Sequence, residues 1–151
     1  MPLDIRIVLS ARTIFLVRII GLLLFAVAFQ LPACRDLWGT VYPGWKCAQM
    51  TLGATVAPEA YTAWDVLAVI SGFINPFAVI SLLLSLTNRM GGLKMVLFLA
   101  TLLCMAATWI FFVRLHITPL VGHFFWIAGA LILSFSSAFL LEERFSDEIL
   151  P

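Results

Sequence analysis

Apolar positions in this chain come in four long runs rather than in an alternating or strictly heptad pattern. The first runs from about Ile14 to Ala33 with Arg18 as its single charge, and the second from about Val66 to Thr87 with none. The third runs from about Met95 to Val113, and the fourth from about Ile117 to Leu141 with His123 near its start. A helix rises about 1.5 Å per residue, so roughly 20 residues cross a hydrocarbon core about 30 Å thick. Backbone amides and carbonyls in lipid have no water to bond, so each run is expected to be a helix. The pattern predicts one domain, residues 1–151, of the all-α class: a polytopic membrane protein built as an antiparallel four-transmembrane-helix bundle. The halves share no repeat, so a transporter made by internal duplication is not supported.

The connections reinforce this. Asn88–Lys94, with Met90-Gly91-Gly92, and Arg114–Pro119 are both too short for anything but tight turns between antiparallel neighbours. The segment of about 34–63 is the one long polar loop, and Gly39, Pro43-Gly44, Gly53 and Pro58 mark it as turn-rich. Pro2 to Thr13 reads either as a short amphipathic surface helix or as a frayed tail. Glu142 to Pro151 reads as a solvated helix end.

Composition turns the pattern into a statement about environment. The chain is 63% hydrophobic and 11% charged, whereas soluble domains have about 45–50% apolar and about 25% charged residues. A net charge of +1 carries no nucleic-acid footprint. Arg6, Arg12, Arg18, Arg89, Lys94 and Arg144 fall on one side of the four runs, against Arg35, Lys46 and Arg114 on the other. The richer side is expected to be cytoplasmic, with both termini inside. Trp38, Trp45, Tyr61 and Trp64 then form an interfacial belt outside, and a bacterial inner membrane suits this arrangement.

Cys34 and Cys47 are the first candidates for chemistry, because both fall in the outer loop while Cys104 lies within the third run. Outside an oxidising boundary they are expected to form a disulfide, a staple worth on the order of 3 kcal/mol. Their spacing is wider than the CxxC of redox proteins. Leu31-Pro32-Ala33-Cys34 also resembles a lipobox, although Pro32 suits that motif poorly.

The remaining polar residues sit on helix faces. Ser71, Asn75, Ala78, Ser81 and Ser85 share one side of the second run, and Pro76 is expected to kink it by freeing the Gly72 carbonyl. Thr101, Cys104 and Thr108 align on the third run, and His123, Ala130, Ser134 and Ser137 on the fourth. Ser71, Asn75, Thr101, Thr108, His123, Ser134 and Ser137 are therefore expected to make interhelix polar contacts. No Asp, Glu, Lys or Arg lies deep in these faces, which argues against a proton pump, coupled transporter or voltage sensor. His116 and His123 lack a third ligand fixed by spacing, so no metal site is expected. No phosphate loop, nucleophile elbow or zinc-protease motif is present, and no cofactor is expected.

Gly44-Trp45-Lys46-Cys47-Ala48, the Asn75-Pro76 helix and the Leu31-Pro32-Ala33 ending of the first run resemble small bacterial four-helix inner-membrane proteins of uncharacterised role. The resemblance implies topology and a bacterial setting and brings no activity. The expected role is non-catalytic: a membrane protein acting by contact, such as an accessory subunit or an immunity-type protein, with the lipid bilayer and another membrane protein or a second copy as partners. The alternative is a small membrane thiol–disulfide redox protein using Cys34 and Cys47.

Overall fold

A computed structural model describes residues 7–53, 63–87 and 90–142. Four helical segments are long and apolar enough to cross a membrane: Ala11–Ala28, Val66–Ser85, Gly91–Arg114 and Val121–Phe139. The first is α1 (Ala11–Ala28), which opens on Ser10, whose hydroxyl accepts a hydrogen bond from the Thr13 amide at 3.3 Å. The second is divided into α3 (Ala63–Gly72) and α4 (Ile74–Ser85). The third and fourth are α5 (Gly91–Arg114) and α6 (Val121–Phe139). A short helix, α2 (Gly44–Gly53), lies between the first two spans.

The fold is mostly helical, but all-α is corrected by a small three-stranded sheet at one end of the bundle. Its strands are β2 (Pro32–Arg35), β3 (Val41–Pro43) and β4 (Thr118–Pro119), in the order β3-β2-β4. This sheet moves two expected helix ends. The first helix stops at Ala28 rather than Ala33, closing with Phe29 and Gln30 amides bonded to Ala26 and Val27 carbonyls. Residues 32–35 are then free to pair with strands on both sides, which a helix through Pro32 would forbid. The fourth helix starts at Val121 rather than Ile117, because His116 takes a left-handed φ of 53° and Thr118–Pro119 runs extended beside Cys34 and Arg35. Conversely, the third helix begins earlier than expected, at Gly91, after Met90 reverses the chain with φ 67°.

At the other end, β1 (Ile7–Leu9) pairs in parallel with β5 (Leu140–Glu142). Residues 7–9 are therefore strand and 11–13 already belong to α1, so the described part of Pro2 to Thr13 is neither a separate amphipathic helix nor a frayed tail. Met1–Arg6, the connection bearing Pro58, Glu59 and Tyr61, the turn residues Asn88 and Arg89, and the tail from 143 onward lie outside the described residues.

The bundle closes most tightly between α1 and α6. A Cβ at Gly129 would lie 2.5 Å from the Phe25 amide nitrogen and 2.8 Å from the Gly21 carbonyl oxygen. The two backbones approach so closely that only a hydrogen fits there, the means by which helices pack where lipid offers no hydrophobic driving force. Phe25, Ile74, Ala78, Cys104, Met105, Ala130 and Leu133 form the buried core. Beside it the Thr101 and Ser134 hydroxyls meet at 3.3 Å, both fully buried.

Candidate functional site

The sheet end of the bundle encloses a cavity of about 410 Å³, within the range of small-molecule sites, roughly 300–1,000 Å³. Its walls come from the end of α1, from β2, α2, α3, α4, α5 and the first turns of α6. The chain folds this way because the end of α1 receives α2 directly. The Gly44 and Trp45 amides, which open α2 and have no partner in their own helix, donate to the Leu31 and Phe29 carbonyls at 3.0 and 2.9 Å. Gly44 is required for this seat, since any Cβ would collide with the Ala28 carbonyl.

Cys34 is fixed from both sides. It stands opposite Tyr42 on β3 and Pro119 on β4, and the neighbouring Ala33 carbonyl accepts from the Leu120 amide at 2.8 Å. Cys47 lies in the first turn of α2. Both line the cavity, and their sulfurs stand 3.4 Å apart as a thiol–thiol hydrogen bond. The expected disulfide is not formed: a covalent bond spans about 2.05 Å, and both thiols are free. The placement needed for a staple is present without the staple.

The two thiols differ. Cys34 is buried and its pKa is pushed up, first by the hydrogen bond with Cys47, then by burial, and further by the charges of Cys47 and Asp36. Cys47 is half-buried and its pKa is pulled down, chiefly by the hydrogen bond with Cys34, against the opposing effect of burial. The helix N-terminus under Cys47 favours the same anion. Asp36 organises the adjoining turn: one carboxylate oxygen accepts from the Trp38 and Thr40 amides at 3.0 and 2.8 Å, the other from the Tyr42 hydroxyl at 3.1 Å. Desolvation opposes ionisation, yet these bonds together hold the Asp36 carboxyl below its ordinary value.

Deeper in the cavity, the polar residues expected between helices divide into two sets. Ser71, Asn75, Thr108 and His123 all line the cavity. Ser71 and Thr108 turn their protons back to the Ala68 and Cys104 carbonyls of their own helices. Thr101 and Ser134 pair with each other in mid-bundle, away from the cavity. Ser137 is buried there too, and its hydroxyl makes no hydrogen bond among the described residues. Asn75 sits just past the break at Phe73, and its side-chain oxygen accepts from the Trp126 indole at 2.8 Å. His123 is 3% exposed and enclosed by aromatic rings, with Phe112 at 4.7 Å and Trp109 and Trp126 at 5.6 Å between centroids. Its buried Nε2 has no hydrogen-bond partner among the described residues.

Trp126, Asp36 and Tyr42 were not among the residues expected at the site. Trp126 falls three residues after His123 and so shares its helix face, a spacing visible in the sequence. The Asp36 turn offers only an Asp two residues before Trp38 and three before Gly39. Among the described residues, no three His, Cys, Asp or Glu side chains gather as metal ligands. Comparison with protein-family models, with curated proteins and with solved structures finds no match to this chain.

Proposed function

We propose that the protein is a multi-pass membrane thiol–disulfide protein in which Cys34 and Cys47 cycle between the dithiol and the disulfide. The observation that carries this reading is the 3.4 Å approach of the two sulfurs with no bond between them. The Trp45–Phe29 and Leu120–Ala33 backbone bonds and the pairing on both edges of β2 hold that geometry in the reduced protein. Backbone hydrogen bonds around both cysteines favour a pair that changes oxidation state without rearranging the chain. The unequal thiols fit an exchange reaction, which begins with attack by a thiolate and ends with capture by the second sulfur.

A role by contact alone would draw on polar helix faces presented to a partner. Thr101, Ser134, Ser71 and Thr108 are instead turned inward and hydrogen-bonded within the bundle. Four helices long and apolar enough to cross a membrane support a place in a bilayer, and the Lys and Arg distribution supports a bacterial inner membrane with both termini cytoplasmic. Cys34 and Cys47 then face the oxidising side. The exposed Leu37 and Trp38 at the tip of the Asp36 turn suit the membrane–water boundary.

Trapping thiols in intact membranes with a mass-tagged maleimide tests the reading. A redox pair appears in both states and shifts with added reductant or oxidant. A pair that stays wholly oxidised until the protein is denatured is a staple and overturns it.

A further inference from the structure

We propose that the cavity beside Cys34 and Cys47 binds a membrane-soluble quinone, which accepts the electrons of the thiol pair. The binding half of this inference stands on the cavity; the electron-transfer half rests on the thiol–disulfide reading above.

Three properties of the cavity specify its occupant. It lies in an apolar bundle and is walled by aromatic rings, among them Phe29, Phe112 and Trp126, which suits a flat lipophilic ring. Its uncommitted polar groups include hydrogen-bond donors. Trp126 Nε1–H can only donate, so it fixes the Asn75 amide with its oxygen toward the indole and leaves the NH₂ as the free end. The His123 ring supplies a second N–H; no hydrogen bond to either of its nitrogens is formed among the described residues. His123 Nε2 is buried with no partner among the described residues, and a polar group left unbonded in a buried site is costly; a ligand carrying acceptor oxygens would engage the ring N–H and the Asn75 NH₂ together. Finally, the cavity is edged by two thiols in mutual contact, which release two electrons and two protons when they form a disulfide. A flat, lipophilic molecule with carbonyl oxygens that takes up two electrons and two protons is a quinone.

The step balances. Two S–H bonds break and one S–S bond forms between Cys34 and Cys47. Two electrons enter the quinone ring, and the two protons end on its two oxygens, giving the hydroquinone. His123 and Asn75 are positioned to hold the carbonyl oxygens and to strengthen their bonds as negative charge develops there.

The test uses the full-length reduced protein in lipid nanodiscs with decylubiquinone, whose fully substituted ring resists addition of thiols. Saturable quenching of tryptophan fluorescence reports binding, and ultraviolet absorbance reports reduction. The expected result is one hydroquinone formed per two thiols lost. Cys34→Ser and Cys47→Ser should bind the probe and fail to reduce it. His123→Phe and Asn75→Leu should each weaken binding by about tenfold, the scale of one lost hydrogen bond, while glutathione disulfide still converts their cysteines to the disulfide. His123→Gln, which keeps an N–H donor, should recover part of the affinity. Absence of saturable binding, or binding unchanged in both cavity variants, overturns the quinone site and leaves the thiol reading standing if glutathione disulfide still oxidises the pair. Binding with thiols inert to both the quinone and glutathione disulfide overturns the electron transfer and the thiol reading together.

Discussion

The Trp126 indole donates to the Asn75 side-chain oxygen across 2.8 Å, linking the fourth span to the second just beyond its break at Phe73. This bond is the polar tie at the back of the cavity, and it makes the wall between α4 and α6 one unit.

Removing either partner should loosen that wall. Asn75→Leu and Trp126→Phe are each expected to lower stability, with a coupling near 0.6 and at most about 1.7 kcal/mol, the range for interhelix hydrogen bonds in membranes. A double-mutant cycle from denaturant unfolding in micelles measures it. Strictly additive losses would mean the bond contributes nothing.

Gly129→Ala should be costly for a different reason. Its Cβ would meet the backbone of α1 at Phe25 and Gly21, which cannot rotate away. Forcing the helices apart costs about 1–3 kcal/mol, readable as a lower thermal midpoint. Gly91→Ala, where nothing lies within 4 Å, is the control and should leave the midpoint nearly unchanged.

The two thiols should ionise at different pH, Cys47 before Cys34. Cys47 is shifted down, so its thiolate and its alkylation rate rise at lower pH than for an ordinary thiol, while Cys34, shifted up, lags behind. Cys34→Ala removes the hydrogen bond that lowers Cys47, and the Cys47 profile should move to higher pH. Mass spectrometry after timed iodoacetamide labelling reads both. Faster labelling of Cys34 than of Cys47 would contradict the assignment.

Asp36 gives a pH dependence of known sign. Its folded pKa is depressed, so the stabilisation of its turn is present above the unfolded carboxylate value and is lost as pH falls through the folded value. The Trp38 and Thr40 amides, which donate to it, should lose hydrogen-exchange protection in acid relative to that trend in the β2–β4 amides. Asp36→Asn keeps an acceptor for the amides and should remove most of the acid sensitivity.

The four long helices were legible because an apolar run long enough to cross a bilayer is expected to be helix. The break in the second was announced by Pro76. What escaped was short. Strands of two to four residues such as Thr118–Pro119 carry no periodicity, and they exist because Cys34 and Arg35 lie alongside to pair with them. The cavity was half legible: helical spacing put Ser71 and Asn75 on one face and His123 on another, yet spacing within a helix cannot say which faces share a void. Cys34 and Cys47 stood out as a pair. Their reduced contact and inequality depend on α2 being seated on the end of α1, a long-range relation that no local signal encodes.

The most direct test of the thiol–disulfide account is a redox equilibrium titration of the full-length protein in lipid nanodiscs against buffered glutathione and dithiothreitol couples that together span about −120 to −350 mV. Counting thiols while recording helical circular dichroism at each point, the account predicts one reversible two-electron transition for Cys34 and Cys47. Helical content should stay constant throughout, since the surrounding backbone bonds hold both residues in either state. Two thiols that never form a bond across the titration, or a disulfide whose reduction unfolds the bundle, would contradict it.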